Sequence, residues 1–270
     1  EMYAVPSNKN TVNSTERIIG TWLKNRSDRD KIILATKIVG PSPNLTYIRN
    51  PLDFSPASIQ TALEGSLKRL QTDYIDLYQL HWPERKSNFF GTRGYVHDPN
   101  DEWEDNIREV LTALQGHIKA GKIRHIGISN ETPYGVLRFS EESAVHGLPR
   151  VVSIQNCYNL LNRIFEVGLA EMAIKQKIGL LAYSPMAFGL LSGKYHKKTD
   201  QPADRLNKFQ QMSRYDSDQC YKATEGYLKI AEDILVKFFE ASMSKSPNAE
   251  TAIFAQIGDF LHWDGLDAVT

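Results

Sequence analysis

The sequence predicts an α/β protein in which parallel strands and helices alternate and curl into a barrel. Three observations point there. Short apolar strands recur between amphipathic helices along the 270 residues, and such alternation produces right-handed βαβ units and a parallel sheet. Every strand stops at polar side chains, as in a barrel, where the strand ends gather on one face. A doubly wound sheet, the competing topology, would carry a glycine-rich phosphate turn after its first strand, and no GxGxxG occurs.

The clearest strand lies in TDYIDLYQLHWP, residues 72–83. Tyr74, Ile75, Leu77, Tyr78 and Leu80 make it apolar almost throughout, the composition of a strand covered on both faces. His81 stands where it stops. Before it, residues 13–25 read as a helix with Asn13 as cap and Ile18, Ile19, Trp22 and Leu23 on one face. KIILATK (31–37) reads as a strand ending in Lys37. A second helix starts at Ser55 and Pro56 and buries Ile59, Leu63, Leu67 and Leu70.

After His81 comes a long aromatic loop, about residues 82–101, of a length usually reserved for function. A helix from about 103 to 120 ends at Gly121, and IRHIGISN (123–130) is a strand ending in Ser129 and Asn130. A helix over 133–146 stops at Gly147, and VVSIQN (151–156) is a strand ending in Gln155 and Asn156. A helix over 163–176 precedes IGLLAYSP (178–185), a strand ending in Tyr183 and Ser184. The last clear helix spans about 217–239.

Composition narrows the function classes. Lys plus Arg and Asp plus Glu are 32 each, so no basic excess points to nucleic acid or an anionic membrane surface. No apolar run reaches membrane-spanning length and no signal peptide is visible. Cys157 and Cys220 have neither CxxC spacing nor histidine companions, which indicates no disulfide framework and no metal site and suggests a reducing, cytoplasmic compartment.

Lys37 and His81 each have a plain alternative reading: a solvated strand-end lysine, and a histidine bonded to a neighbouring loop. Placed at the ends of consecutive barrel strands, they instead share one face. A lysine beside a tyrosine favours phenolate and lowers the phenol's pKa, which suits that tyrosine to donate a proton to a substrate oxygen. Tyr3 is the tyrosine available before Lys37.

DYIDLYQLHWP, the ATK strand, GKIRHIGISN, SIQNCYNLLNR and LLAYSPMAFGLLSGKY together strongly resemble the aldo/keto reductases, in the Tas-type bacterial branch that also resembles the potassium-channel β subunits. The resemblance implies a (β/α)8 TIM-type barrel that binds NADPH without a Rossmann fold and reduces aldehyde or ketone carbonyls to alcohols. It implies Tyr3 as general acid, Lys37 and His81 as its partners, and an aspartate that would precede Glu1. Ser129, Asn130 and Gln155 match residues holding the nicotinamide carboxamide, and Tyr183 matches the aromatic stacked on its ring. Ser184, Pro185 and Met186 match the segment beneath the pyrophosphate, and Lys194 and Arg205 match basic residues closing over the phosphates. By composition alone, Tyr183 reads as a core aromatic and Lys194 as a solvated charge. Trp82, Phe89, Phe90 and Tyr95 form either a hydrophobic substrate pocket over His81 or a packing cluster of the loop.

The likeness runs from Glu1 to about Glu232, giving a partial barrel over 1–232 and a divergent segment over 233–270. Strand 1, most of strand 2 and strand 8 are expected to be missing, which would expose sheet edges and invite self-association. The last segment either patches the open wall or has no fold, and the second reading is preferred. A non-catalytic or degenerate module of the same descent, binding cofactor weakly, is the alternative to a working reductase.

Overall fold

The computed structural model describes residues 1–4, 7–90, 92, 94–198, 200–209 and 213–243; the expected divergent segment from residue 244 onward lies outside them. The chain divides into two compact units. Glu1–Tyr158 with Ile164–Tyr183 forms the first, and Asn159–Arg163 with the chain from Ser184 forms the second.

The first unit holds the sheet. Its elements are α1 (Ser14–Lys24), β1 (Ala35–Ile38), α2 (Pro56–Leu70), β2 (Ile75–Leu80), α3 (Ile107–Lys119), β3 (Ile123–Ser129), α4 (Pro133–His146), β4 (Val151–Gln155), α5 (Phe165–Gln176) and β5 (Gly179–Leu180). All strand pairs are parallel and the sheet order is β1-β2-β3-β4-β5. Strictly sequential order is that of a barrel wall, whereas a doubly wound sheet reverses direction at a switch point.

The register explains what each face carries. Lys37, Gln79, Gly127, Ser153 and Gly179 align across the sheet. One residue on, Ile38, Leu80, Ile128, Ile154 and Leu180 align. Side chains alternate along a strand, so the second row belongs to the core beneath the helices and the first row to the opposite face. Gly127 suits its place: a Cβ there would stand 2.5 Å from Ser153 Oγ and 3.1 Å from Gln79 Cγ. The next row on the first row's face is that of His81, Ser129 and Gln155.

Helix faces follow their sequence patterns. Ile59, Leu63 and Leu70 of α2 and Leu111 and Leu114 of α3 are almost wholly buried against Ile38, Ile123, Ile128 and Ile154. Burying one such side chain stabilises the fold by roughly 1.5–3 kcal/mol. Gly20 lets α1 lie close on α2, since a Cβ would come 2.1 Å from the Arg69 carbonyl oxygen. Ser55 caps α2 as expected, its Oγ accepting from the Ser58 amide at 3.4 Å.

Four boundaries differ from expectation. Asn13 precedes α1 in a left-handed conformation and its side chain makes no cap bond. β1 starts at Ala35, not residue 31, because Arg29–Lys31 forms a 3-10 turn and the Leu34 amide bonds the Asp76 carboxylate instead of a strand. α3 starts at Ile107, since Asp101 and Asp105 accept from the amides of Trp103 and Ile107 and divert that backbone from helix. β5 is only two residues long, although the backbone beside β4 is still joined as far as Tyr183, whose amide donates to Asn156 O at 3.0 Å.

The second unit has a 3-10 segment over Ala187–Ser192, the short helix α6 (Arg205–Lys208) and the long helix α7 (Asp218–Met243). Gly193 at φ +80° sits against Leu228 of α7. No helix among the described residues is long and apolar enough to cross a membrane.

Candidate active site

β2 delivers His81 to the end of the sheet, where its amide donates to Ile38 O at 3.0 Å. The imidazole is 4% exposed, and its Nε2 lies 3.2 Å from the Tyr3 hydroxyl. Burial and the Lys37 cation push its pKa well below the usual histidine value, because both disfavour a second positive charge. Burial pushes the Tyr3 phenol up and the Lys37 ammonium down. With both groups neutral, a single hydrogen bond joins the Tyr3 hydroxyl and Nε2, its direction set by which ring nitrogen holds the proton, and the buried Nδ1 has no partner among the described residues.

One expectation is corrected here. Lys37 does not bring the Tyr3 phenol below its ordinary value. Its Nζ stands over the tyrosine ring, 5.5 Å from the centroid, while the hydroxyl is turned to His81, so desolvation prevails. The tyrosine is 40% exposed, and the upward push is correspondingly modest.

A chain of polar contacts continues along the strand ends. Asn130, at φ +55°, donates from Nδ2 to His81 O at 2.9 Å and to Ser129 Oγ at 3.1 Å. Its Oδ1 accepts from the Tyr183 hydroxyl at 2.8 Å. Ser129 Oγ donates to Gln155 O at 2.8 Å. The half-buried Gln155 side-chain amide makes no hydrogen bond among the described residues. Tyr3, Lys37, His81, Ser129, Asn130, Gln155 and Tyr183 thus belong to the first unit and lie along the ends of its five strands.

Three of the four aromatics expected over His81 meet one another. Trp82 packs beside His81, with ring centroids 4.7 Å apart. Phe90 meets Trp82 at 5.6 Å and Phe89 at 5.1 Å. Trp82 is itself buried with Val39 and Leu52 and donates from Nε1 to Pro41 O, so it forms a wall. Tyr95 is 65% exposed and shares no ring contact with these three among the described residues. It stands apart from this aromatic cluster.

Ser184, Pro185, Met186, Lys194 and Arg205 belong to the second unit. Ser184 O accepts from Asn159 Nδ2 at 2.8 Å, and Met186 O accepts from the Gly189 amide at 2.8 Å. Lys194 Nζ is ion-paired with Asp204 at 2.6 Å, so it does not stand as an uncommitted cation. The Arg205 guanidinium lies 5.8 Å from the Phe188 ring.

A model of the aldo/keto reductase family matches residues 2–242. The chain belongs to the aldo/keto reductase family. The family implies a (β/α)8 barrel, whose α/β repeat is the sequential parallel sheet of the first unit. It also makes the chain an oxidoreductase by family. The chain is 45% identical over 237 residues to protein tas of Escherichia coli K12, covering 86% of this chain and 67% of that protein. It is 41% identical over 213 residues to an aldo-keto reductase of Babesia bovis, covering 74% and 75% respectively. A solved aldo/keto reductase from Klebsiella pneumoniae, in complex with NADP and acetate, is similar with a TM-score of 0.49 and 25% identity, over 67% of this chain and 51% of that one.

Sequence reasoning missed one feature of this aldo/keto reductase. Arg85 and Glu131 form a buried bidentate ion pair beside the site. Its signal was present as opposite charges shortly after two neighbouring strand ends, in HWPER and SNE.

Proposed function

We propose that this chain binds NADPH and reduces aldehyde or ketone carbonyls to alcohols, with Tyr3 as general acid assisted by Lys37 and His81. The observation that carries it is the Tyr3 hydroxyl 3.2 Å from Nε2 of a buried, neutral His81, beside the Lys37 cation. Such a hydroxyl keeps its proton at neutral pH, and the Nε2–H form of the neutral His81 ring beside it can donate to a carbonyl oxygen and orient it. As Tyr3 gives up its proton, Lys37 steadies the phenolate that forms, an interaction strongest when the negative charge is fully developed.

The residues present fit a nicotinamide. Gln155 offers an uncommitted amide, a donor and an acceptor together, to a carboxamide. Tyr183 is held by its hydroxyl on Asn130, and by resemblance its ring would stack on the nicotinamide. When bound, the reduced nicotinamide supplies the hydride, and this chain supplies the proton. By resemblance alone, Ser184, Pro185, Met186, Lys194 and Arg205 would bind the cofactor's phosphates. Trp82, Phe89 and Phe90 would form the apolar wall of the substrate site.

A second reading, a module of this descent that binds cofactor weakly and turns nothing over, is favoured by the Lys194–Asp204 ion pair, which already occupies one of the expected phosphate cations. The pair is partly solvated, its side chains 31% and 23% exposed, and such pairs typically contribute up to about 1 kcal/mol, so the reductase reading is preferred. Titrating the chain with NADPH while following the cofactor's fluorescence tests both. Saturable binding and turnover of 4-nitrobenzaldehyde are expected, with Tyr3→Phe lowering kcat by roughly 10²–10⁴-fold, the range of general-acid contributions. No binding at millimolar NADPH would overturn the proposal.

A further inference from the structure

We infer that Arg85 and Glu131 are positioning residues that set the Asn130 cradle for the nicotinamide and couple it to His81; the inference rests on the NADPH reading above. Asn130 lies in the left-handed region, which asparagine tolerates better than other non-glycine residues, so its hydrogen bonds are what fix it in place. Its own side chain spans three partners: His81 O, Ser129 Oγ and the Tyr183 hydroxyl. The next residue, Glu131, fixes the backbone on the other side.

Glu131 is 5% exposed and Arg85 9%. Arg85 Nη1 donates to Oε1 at 2.9 Å and Nη2 to Oε2 at 2.6 Å, the paired fork that fixes orientation as well as distance. Arg85 Nη2 also donates to Thr132 Oγ1 at 3.0 Å, and the Thr132 amide donates to Glu131 Oε2 at 2.8 Å. The Glu131 carbonyl accepts from Asn156 Nδ2 at 2.9 Å, which ties it to the end of β4. Gly135 in the first turn of α4 leaves room for the carboxylate, since a Cβ there would stand 2.0 Å from Oε2.

Arg85 follows His81 by four residues, and Glu131 follows Asn130 directly. The ion pair therefore braces both segments joined by the bond from Asn130 Nδ2 to His81 O. A buried ion pair is weak evidence of stabilisation, because desolvation offsets much of its attraction. What this one supplies is a fixed distance between the segment leaving β2 and the segment leaving β3. Loosening it frees Asn130 and His81 to move relative to Gln155 and Tyr3.

Two variants of the full chain test this. Arg85→Lys keeps the charge but loses the planar fork. The double variant Arg85→Met with Glu131→Gln removes both charges and leaves neither unpaired. Both are assayed by thermal unfolding, by NADPH fluorescence titration, and by steady-state reduction of 4-nitrobenzaldehyde. Each variant is expected to keep its Tm within about 4 °C, equivalent to roughly 1–2 kcal/mol for a chain of this size. Each should raise the Kd for NADPH about tenfold, and kcat should fall by more than the cofactor's KM rises. If either folded variant binds NADPH with the wild-type Kd, the positioning role is overturned. If both variants unfold, the pair is a stability element and the inference is likewise overturned. If the wild-type chain itself binds no NADPH, the reductase reading falls and this inference with it, a result distinct from wild-type binding that the variants leave unchanged.

Discussion

His81 is an ionisable ring kept neutral by where it sits. Its folded pKa lies well below the usual 6.5. As pH drops below about 6.5, the unfolded chain takes up a proton there that the folded chain refuses. Linkage then lowers stability as pH falls and leaves it flat above that range. Between pH 7.5 and 5.5, urea unfolding is expected to show a loss approaching about 1.4 kcal/mol per pH unit from this group, and His81→Asn should flatten that slope. A variant whose slope equals the wild type's would show that other groups carry it. That Tyr3, Lys37 and His81 lie together was expected from the sequence, and the structure brings the Tyr3 ring to both Lys37 and His81. The direction of the Tyr3 shift was not legible there. It depends on whether the hydroxyl faces Lys37 or His81, and in the structure it faces His81.

At the scale of single elements, the helices were more legible than the strands. The Ser55–Pro56 start of α2 and the Gly147 end of α4 were read correctly, because caps and terminators act within a few residues. Removing the α2 cap with Ser55→Ala is expected to cost about 1 kcal/mol in urea unfolding. Gly20→Ala should cost more, roughly 1–3 kcal/mol, because α2 backbone occupies the space its Cβ needs. If Gly20→Ala costs less than Ser55→Ala, the close approach of α1 to α2 is not what the geometry indicates. Strand ends were harder: β1 and β5 are shorter than their apolar runs suggest. Apolar composition shows that a segment is buried, but ladder hydrogen bonds depend on the neighbouring strand: the Leu34 carbonyl still accepts from the Asp76 and Leu77 amides, while the Leu34 amide donates to the Asp76 side chain.

On the scale of the whole molecule, one apolar core underlies the sheet of the first unit, with Leu63 of α2 completely buried in it. Leu63→Ala should cost about 2–5 kcal/mol and lower the Tm by roughly 2–4 °C for each kcal/mol. A shift under 2 °C would mean that the helix layer repacks freely around the gap. The sequence by itself determined the alternation of strands and helices, the barrel class and the polar strand ends, because these follow from local periodicity and from where each strand stops. Only the tertiary structure decided which polar ends meet. It set Tyr3 on His81, linked His81 through Asn130 to Tyr183, left Tyr95 outside the aromatic wall, and paired Arg85 with Glu131 across two loops. Those outcomes depend on register and on distances between segments far apart in the chain, and no single stretch of sequence encodes either one.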